Sequence, residues 1–270
     1  MQVAGKTIAV TGGGNGIGRE LVLALLDRGA KVAAIDLSQE GLSATVARAG
    51  ARKSLLSAHA VDITDRAAVE ALPATIVATH GSVDGVINCA GIIQPFVTVD
   101  KLDISAIERV MNVNFWGTTY MVKAFLPYLL ERPAAHIVNV SSMGGFLPVP
   151  GQSAYGASKA AVKLLTEALH SELTGTSVRV TVVFPGAIGT EITKNSGVAA
   201  PGGVEVEEAA KKYKTTSPED AARLILDGME RDAYRVLVGG DAKMMDRLAR
   251  LAPERAAKLI YSKMKNLLAV

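Results

Sequence analysis

Short, nearly continuous apolar runs alternate with longer helical stretches through most of this 270-residue chain. Such runs are typical of strands buried on both faces of a parallel sheet, because one-sided burial alternates apolar and polar residues. The alternation predicts an α/β fold, a doubly wound parallel sheet in three α/β/α layers. The predicted strands span 6–11, 31–36, 57–61, 83–88, 136–140, 178–184 and 234–238.

Helices are predicted between these strands, and the sequence contains no internal repeat and no Pro/Ser-rich linker. We therefore expect one domain over residues 1–240 and a helical extension over 241–270. The segment 187–215 is rich in Gly, Ala and charge, and a connection of that length indicates a lid or disorder. The predicted helices span 16–28, 38–50, 65–80 (with Pro73 as an irregularity), 103–131, 153–175 and 218–231.

Composition argues against several classes of protein. The net charge of +3 is small, whereas nucleic-acid binders concentrate a stronger basic surplus on one face. The single cysteine, Cys89, cannot form an intramolecular disulfide, which favours a reducing compartment. We see no signal-peptide pattern and no apolar run of about 18 residues, so a cytoplasmic protein is expected. The four histidines lack metal-ligand spacing, and no metal is predicted.

A glycine-rich turn, TGGGNGIG at residues 11–18, joins the first predicted strand to the first predicted helix. Glycines let a backbone approach a pyrophosphate closely, and a helix N-terminus offers free N–H groups to phosphates. A bare tight turn is the alternative, but the placement between strand and helix favours dinucleotide binding. The candidate binding residues are Gly12, Asn15, Gly16, Ile17 and Gly18.

Asp36 ends the second predicted strand, where a Rossmann fold places the residue that meets the adenosine ribose. A carboxylate there accepts hydrogen bonds from the ribose hydroxyls and repels a 2′-phosphate. Leu37 follows, and position 15 is Asn rather than a basic residue, so the sequence favours NAD over NADP. The alternative is that Asp36 caps a helix or lies in a solvated loop.

Tyr155 and Lys159 are four residues apart in a predicted helix and therefore share one face. A nearby ammonium favours the phenolate, so we expect Lys159 to lower the tyrosine pKa from about 10. Tyr155 could then act as general acid or base, while Ser142, just after a strand, holds the substrate oxygen. A solvated helix face is the alternative for the isolated Tyr-x-x-x-Lys pattern.

Together these motifs resemble the short-chain dehydrogenase/reductase family, of the TGxxxGxG type, over roughly residues 3–240. The resemblance implies that Asn114 holds a water linking Lys159 to solvent, and that Asp62 and Ile63 contact the adenine. It also implies that Asn88 and Gly91 line the ribose and phosphate path. The family commonly has Asn where this chain has Cys89, which we interpret as a structural residue. The other implied cofactor contacts are Ala90, Pro185, Gly186, Ile188 and Thr190.

The resemblance further implies a homodimer or homotetramer, built on the helix that carries Phe115 and Trp116 and on the next helix. Residues 241–270 contain seven basic and three acidic residues, with apolar residues at helical spacing and Pro253 dividing two helices. We expect this extension to pack on the domain, cover the pocket or join subunits. Contact with an anionic membrane surface is the less favoured alternative.

Our leading hypothesis is an NAD-dependent oxidoreductase that transfers a hydride between the nicotinamide and a small-molecule secondary alcohol or ketone. Residues 187–215 and side chains from 143–150 are predicted to close the pocket. The apolar run at 146–150 in this rim suggests a medium-sized or bulky apolar substrate such as a steroid-like, terpenoid or aryl alcohol. Two alternatives remain. One is a 3-oxoacyl thioester reductase, which usually draws on NADPH, and the other is a catalytically silent dinucleotide sensor.

Overall fold

The computed structural model describes residues 1–199, 215–265 and 268. It contains one seven-stranded sheet in the order β3-β2-β1-β4-β5-β6-β7, and every paired neighbour is parallel. The doubly wound α/β prediction is confirmed. The strands are β1 (Thr7–Thr11), β2 (Lys31–Asp36), β3 (Leu56–Ala60), β4 (Gly85–Asn88), β5 (Ala135–Val140), β6 (Val178–Pro185) and β7 (Arg235–Val238).

Helices cover both faces of the sheet. They are α1 (Gly16–Asp27), α2 (Gln39–Ala49), α3 (Arg66–His80), α4 (Ile104–Met111), α5 (Thr118–Leu130), α6 (Ser153–Glu172), α7 (Ile192–Ser196), α8 (Pro218–Glu230), α9 (Gly240–Leu251) and α10 (Pro253–Met264). One apolar core joins α1, α2 and α8 to the sheet, and a second joins α3, α5 and α6 to its other face. The layers are therefore α/β/α.

The strand order reverses between β1 and β4, where the chain leaves the sheet on opposite sides. In open α/β sheets such a switch point opens a crevice at the carboxyl ends of the strands, where ligands bind. The turns after β1, β2, β4, β5 and β6 therefore converge on one edge of the sheet, and they carry most of the predicted site residues.

The helical stretch predicted at 103–131 is confirmed, because the chain is helical from Ile104 to Leu130, although its central turn is not α-helical. The structure has α4, then a π-helical turn at Asn112–Gly117, then α5. Asn114 lies in this turn, and its side chain bonds the backbone of Ile92 in a neighbouring loop. Turns of this type occur mostly at functional sites. Pro73, predicted as an irregularity, lies buried inside an uninterrupted α3.

The extension after β7 forms α9 and α10, and α10 begins at Pro253. Met245, Ala256 and Ile260 are buried against Leu147, in a small core beside the β5–α6 connection. In the described part of the chain no helix has the length and apolar character needed to cross a membrane. Most of the lid predicted at 187–215 lies outside the described residues, since the structure describes only 187–199 and 215 of it.

Candidate active site

A cavity of about 1010 Å³ lies at the carboxyl edge of the sheet. Seventeen of the nineteen predicted site residues line it: Gly12, Asn15, Gly16, Ile17, Gly18, Asp36, Asp62, Ile63, Ala90, Gly91, Ser142, Tyr155, Lys159, Pro185, Gly186, Ile188 and Thr190. The other two, Asn88 and Asn114, lie behind its wall. The fold therefore brings the glycine-rich turn and the Ser-Tyr-Lys set, which are far apart in sequence, to one cavity.

The glycine-rich turn forms a cradle that side chains would fill. Gly12 has φ +72°, and a Cβ on it would lie 3.1 Å from the backbone of Ala90. A Cβ on Gly18 would collide with the carbonyl of Gly12, so the first turn of α1 packs directly on the loop. Asn15 caps α1 by accepting from the Gly16 N–H at 2.6 Å. This open cradle at a helix N-terminus fits the pyrophosphate of a dinucleotide.

The Asp36 carboxylate lies at the edge of this cradle. Its Oδ2 accepts from the Gly14 N–H at 2.9 Å, and its Oδ1 accepts from the Ser38 N–H at 2.9 Å. Ser38, rather than Asp36, caps α2. The helix-cap alternative for Asp36 is therefore wrong, and the carboxylate is free to face a ligand in the cavity.

Asp62 and Ile63 follow β3 on the adenine side of the predicted site. Asp62 Oδ1 accepts from both the N–H and the hydroxyl of Thr64, each at 2.8 Å. Ile63 is 7% exposed and packs against Gly117 of the π-helical turn. These contacts fix the loop at the cavity, so that the Asp62 carboxylate and the Ile63 backbone are presented to its outer part.

Tyr155 lies in the first turn of α6, and its ring lies beside Ser142 and Gly144. Ser142 Oγ also accepts from the Gly144 N–H at 3.0 Å, which holds the serine at the end of β5. Burial raises the pKa of Tyr155, and the hydrogen bond with Ser142 lowers it in part. The predicted lowering of this pKa by Lys159 is therefore corrected: burial of the phenol prevails here.

Lys159 lies one turn further along α6 and is 4% exposed. Its ammonium donates to the carbonyl of Val140 at 2.9 Å. Burial lowers the pKa of Lys159 to about 8, while the nearby Cys89 raises it. The lysine is thus a desolvated cation that needs little free energy to lose its proton near neutral pH.

Asn114 is fully buried, and its amide is largely occupied by protein groups. The Nδ2 donates to the Ile92 carbonyl and to Ser158 Oγ, and the Oδ1 accepts from the Ile92 N–H, each at 2.9 Å. A Cβ on Gly91 would lie 3.2 Å from this Oδ1 and 3.0 Å from Lys159 Nζ, so both atoms flank Gly91. The water-holding role of Asn114 stays a prediction, with the remaining Oδ1 lone pair as its available acceptor.

Asn88 lies within the sheet, although we expected it to line the ribose and phosphate path. It is 2% exposed, and its Nδ2 donates to Asn139 Oδ1 on β5 at 2.8 Å. The side chain of a central strand points into a helix layer, which takes the amide away from the cavity. Cys89, next in sequence, has a pKa raised to about 12, chiefly by burial. This agrees with a structural cysteine and not with a nucleophile.

The loop after β6 carries Ile188 and Thr190, which the family resemblance implies as cofactor contacts. Ile188 forms a parallel bridge with Thr216, and the Ala187 N–H donates to Asp241 Oδ2 at 2.8 Å. Asp241 belongs to α9 and was not predicted. Thr190 lies close to Gly16, so the loop crosses the cavity and reaches the glycine-rich turn.

Apolar side chains that carry no motif line the inner end of the cavity. They are Ile92, Ile93, Phe96, Met143, Val149, Ile192 and Met264. The rim predicted at 143–150 is confirmed in part, because Met143, Gly144 and Val149 line the cavity and its other members do not. Phe146 instead packs edge-to-face against Phe184, with the ring centroids 5.4 Å apart, and Leu147 is buried under α10. Among the described residues, no cluster of three or more His, Cys, Asp or Glu is arranged to hold a metal.

Comparison with known proteins gives a match to a protein family. Residues 6–200 match the profile described as short chain dehydrogenase. The oxidoreductase SadH of Mycobacterium tuberculosis is 40% identical over 95% of this chain and 94% of that protein. The 1-deoxy-11-beta-hydroxypentalenate dehydrogenase of Streptomyces avermitilis is 32% identical over 90% of this chain and 88% of that protein.

Two solved structures share the whole fold. A short-chain dehydrogenase/reductase from Burkholderia phymatum, in complex with NAD, superposes with a TM-score of 0.84 at 26% identity, covering 95% of this chain and 97% of that one. A short-chain dehydrogenase from Burkholderia cenocepacia, in complex with NADP, has a TM-score of 0.79 at 28% identity, covering 98% and 99%. The neighbours thus include complexes of both nicotinamide dinucleotides.

Proposed function

This chain belongs to the short-chain dehydrogenase family of oxidoreductases, and from that premise we propose that it oxidises a secondary alcohol, or reduces the ketone, with NAD. The observation that carries the proposal is the shared cavity. A dinucleotide cradle at Gly12 and an acid/base pair at Ser142 and Tyr155 line the same space of about 1010 Å³.

A bound nicotinamide dinucleotide would supply the hydride acceptor or donor. The chain's own residues handle the proton and the oxygen. Ser142 Oγ holds and polarises the substrate oxygen, while Tyr155 Oη takes its proton during alcohol oxidation and returns it during ketone reduction. Lys159, buried one turn away with a pKa of about 8, stabilises negative charge that develops on this oxygen and on the phenolate.

The choice of NAD over NADP rests on Asp36. Its carboxylate is fixed at the outer edge of the cavity by two backbone N–H groups, so it cannot turn away from a ligand without losing both bonds. A 2′-phosphate placed there would meet a like charge, whereas ribose hydroxyls would find an acceptor. Arg19 is close by, but its guanidinium bonds the Gly14 carbonyl and Thr45 Oγ1, which engages it inside the fold.

The substrate we propose is an apolar alcohol of medium or large size. Ile93, Phe96, Met143 and Met264 give the inner end of the cavity an apolar wall, which would favour an apolar substrate. One relative is named as a dehydrogenase of a hydroxypentalenate, and that name supports a substrate of this class. We keep steroid-like, terpenoid and aryl alcohols as the substrates to test.

We also propose a homodimer or homotetramer. Trp116 is 45% exposed and Leu164, on α6, is 66% exposed, so two large apolar side chains lie open on the helices that the family resemblance assigns to a subunit interface. Trp116 stacks on Tyr120 at 6.0 Å, which extends this aromatic surface.

The test is turnover of the purified protein with a panel of secondary alcohols, followed by the absorbance of the reduced nicotinamide with NAD and NADP in parallel. We expect turnover with NAD and at least about tenfold lower kcat/KM with NADP, because like charges placed together cost several kcal/mol and each ~1.4 kcal/mol is a factor of about ten. Turnover with NADP alone would refute the cofactor proposal. Binding of NAD without turnover of any alcohol or ketone would favour the sensor alternative.

A further inference from the structure

The N-terminus of the helix that carries Tyr155 is capped by a side chain from another part of the chain. Gln94 lies in the loop after β4 and is fully buried. We propose that Gln94 is a positioning residue for Tyr155, acting through the backbone of the first turn of α6. This inference rests on the proposed oxidoreductase function, since it assigns Tyr155 the acid/base role.

The need for a cap arises from the sequence at the start of α6. The first N–H groups of a helix have no partner within the helix, and Ser, Thr, Asp or Asn usually supplies one from the N-cap position. Here that position is Gln152, whose side chain makes no capping bond. Gln94 Oε1 serves as the capping acceptor instead. It accepts hydrogen bonds from the N–H of Ala154 at 2.7 Å and from the N–H of Tyr155 at 3.1 Å.

Two further hydrogen bonds fix the same glutamine beside the helix start, and a third joins Gln152 to the first turn of the helix. Gln94 Nε2 donates to the Gly151 carbonyl at 2.9 Å. Gln152 Nε2 donates in return to the Gln94 carbonyl at 2.9 Å. The Gly156 N–H, next in the turn, donates to the Gln152 carbonyl at 2.8 Å. The backbone N–H groups of Ala154 and Tyr155 therefore both depend on the side-chain amide of Gln94.

The loop that carries Gln94 is itself held at two other points. The Ile92 backbone is clamped by Asn114, and the Ile93 N–H donates to the buried Ser196 Oγ of α7 at 3.0 Å. Gln94 thus links α6 to the π-helical turn and to α7. A displacement of the π-helical turn or of α7 would therefore be transmitted to Tyr155 through Gln94. Misplacement of a reacting group by about 1 Å can lower the reaction rate by about 10²-fold.

The test compares Gln94→Met with Gln94→Glu. Methionine fills similar space without an acceptor, so the first turn of α6 loses its cap and Tyr155 loses its place beside Ser142. We expect kcat to fall about 10–100-fold, KM for NAD to stay within about twofold, and the tyrosine-dependent limb of the pH–rate profile to move to higher pH. Burial favours the protonated form of a glutamic acid, which keeps both an acceptor and a donor. Gln94→Glu should therefore regain most of the lost kcat for ketone reduction below neutral pH.

The matched control is Thr181→Val on β6. It removes buried hydrogen bonds to His136 and to the Ala233 carbonyl, away from the cavity, so it should lower the melting temperature and leave kcat and the pH profile unchanged. A folded Gln94→Met protein with wild-type kcat and pH profile would overturn the inference. So would an equal loss of kcat in Thr181→Val.

A second measurement separates this inference from the proposed function. The difference in phenolate absorbance between the wild-type protein and a Tyr155→Phe protein reports ionisation of Tyr155 without any turnover. We expect Gln94→Met to move this ionisation to higher pH, because the bond with Ser142 that lowers the pKa is weakened. An unmoved titration would contradict the inference even if no substrate were found, whereas absent turnover alone would count only against the proposed function.

Discussion

The N–H of Gly14 donates a 2.9 Å hydrogen bond to Asp36 Oδ2 and so joins the glycine-rich turn to the end of β2. The second carboxylate oxygen is held by the Ser38 N–H. Both bonds fix the position of a negative charge at the outer edge of the cavity, and hydrogen bonds to a charged group are stronger than neutral ones. Cofactor choice and the shape of the phosphate-binding turn therefore depend on the same side chain.

Asp36→Asn and Asp36→Ala should both weaken the preference for NAD. We expect KM for NAD to rise roughly tenfold or more, since a hydrogen bond to a charged group contributes about 1.5–3 kcal/mol. KM for NADP should fall, because the repulsion of its 2′-phosphate is gone. The measurement is kcat/KM with both cofactors. If Asp36→Asn kept the full NAD preference, charge at this position would not determine it.

Ser142→Ala should change the pH dependence as well as the rate. Its hydrogen bond lowers the pKa of Tyr155 against the opposing effect of burial, so its loss raises that pKa further. Because alcohol oxidation needs the deprotonated tyrosine, the rising limb of the pH–rate profile should move to higher pH. We expect kcat to fall about 10²-fold. Ser171→Ala, on the exposed far end of α6, serves as the control.

Tyr155→Phe should abolish general acid/base catalysis while the fold and the cradle persist. A loss of at least about 10²-fold in kcat is expected in both directions, with NAD binding retained. Calorimetric titration with NAD and steady-state kinetics on the same preparation would check both statements. Normal turnover by the Tyr155→Phe protein would contradict the acid/base role of Tyr155.

Most of the fold could be predicted because strands that are buried in a parallel sheet have nearly continuous apolar sequences. The π-helical turn around Asn114, within the long helical stretch, could not be predicted. It depends on hydrogen bonds from Asn114 to Ile92 and Ser158, which are distant in sequence and leave no local pattern. The cofactor turn, Asp36 and the Ser-Tyr-Lys set could be predicted because each sits at a fixed place relative to a strand end or a helix turn.

The rest of the site depends on tertiary contacts. Asn88 carries a family motif, yet its position inside the sheet depends on Asn139 of the neighbouring strand. The rim predicted at 143–150 has the right composition for a pocket, but its Leu147 packs against α10, which is distant in sequence. Gln94 has no helix-cap signature, because it caps a helix about sixty residues away. Sequence patterns indicate local geometry, whereas the positions of these residues are determined by contacts with parts of the chain that are distant in sequence.

His136 should make stability depend on pH. It is fully buried, and burial, with the nearby N-terminal ammonium, lowers its pKa to about 3. In the unfolded chain the imidazole takes up a proton below about pH 6.5, so the unfolded state binds more protons between pH 3 and 6.5. The free energy of unfolding should therefore fall with falling pH in this window, by at most about 1.4 kcal/mol per unit from this group.

Urea unfolding between about pH 4.5 and 7 checks the contribution of His136. His136→Gln removes the titrating imidazole and should flatten the dependence. Thr181→Val removes the partner of His136 Nε2 but keeps the imidazole, so it should lower stability at every pH with the slope retained. Equal slopes in the wild-type and His136→Gln proteins would contradict the assignment.

Trp116→Glu combined with Leu164→Glu should dissociate the proposed oligomer. Both side chains are large, apolar and open to solvent, and a charge placed in an apolar interface is costly to bury. Light scattering coupled to size exclusion would give the mass of each species. Leu251→Glu is the control, since Leu251 is 87% exposed at the end of α9 and lies outside the proposed interface. A monomeric wild-type protein would contradict the assembly directly.

Met264→Ala should weaken the binding of bulky substrates. Met264 lies in the last turn of α10 and lines the inner end of the cavity, while Ile260, one turn earlier, is buried beside Leu147. Loss of the thioether removes apolar contact, so KM for large alcohols should rise about 3–10-fold, with KM for NAD unchanged. Lys263→Ala, the exposed neighbour, should change neither. If Met264→Ala left KM unaltered while Lys263→Ala abolished salt-sensitive binding to anionic vesicles, α10 would serve a membrane surface and not the pocket.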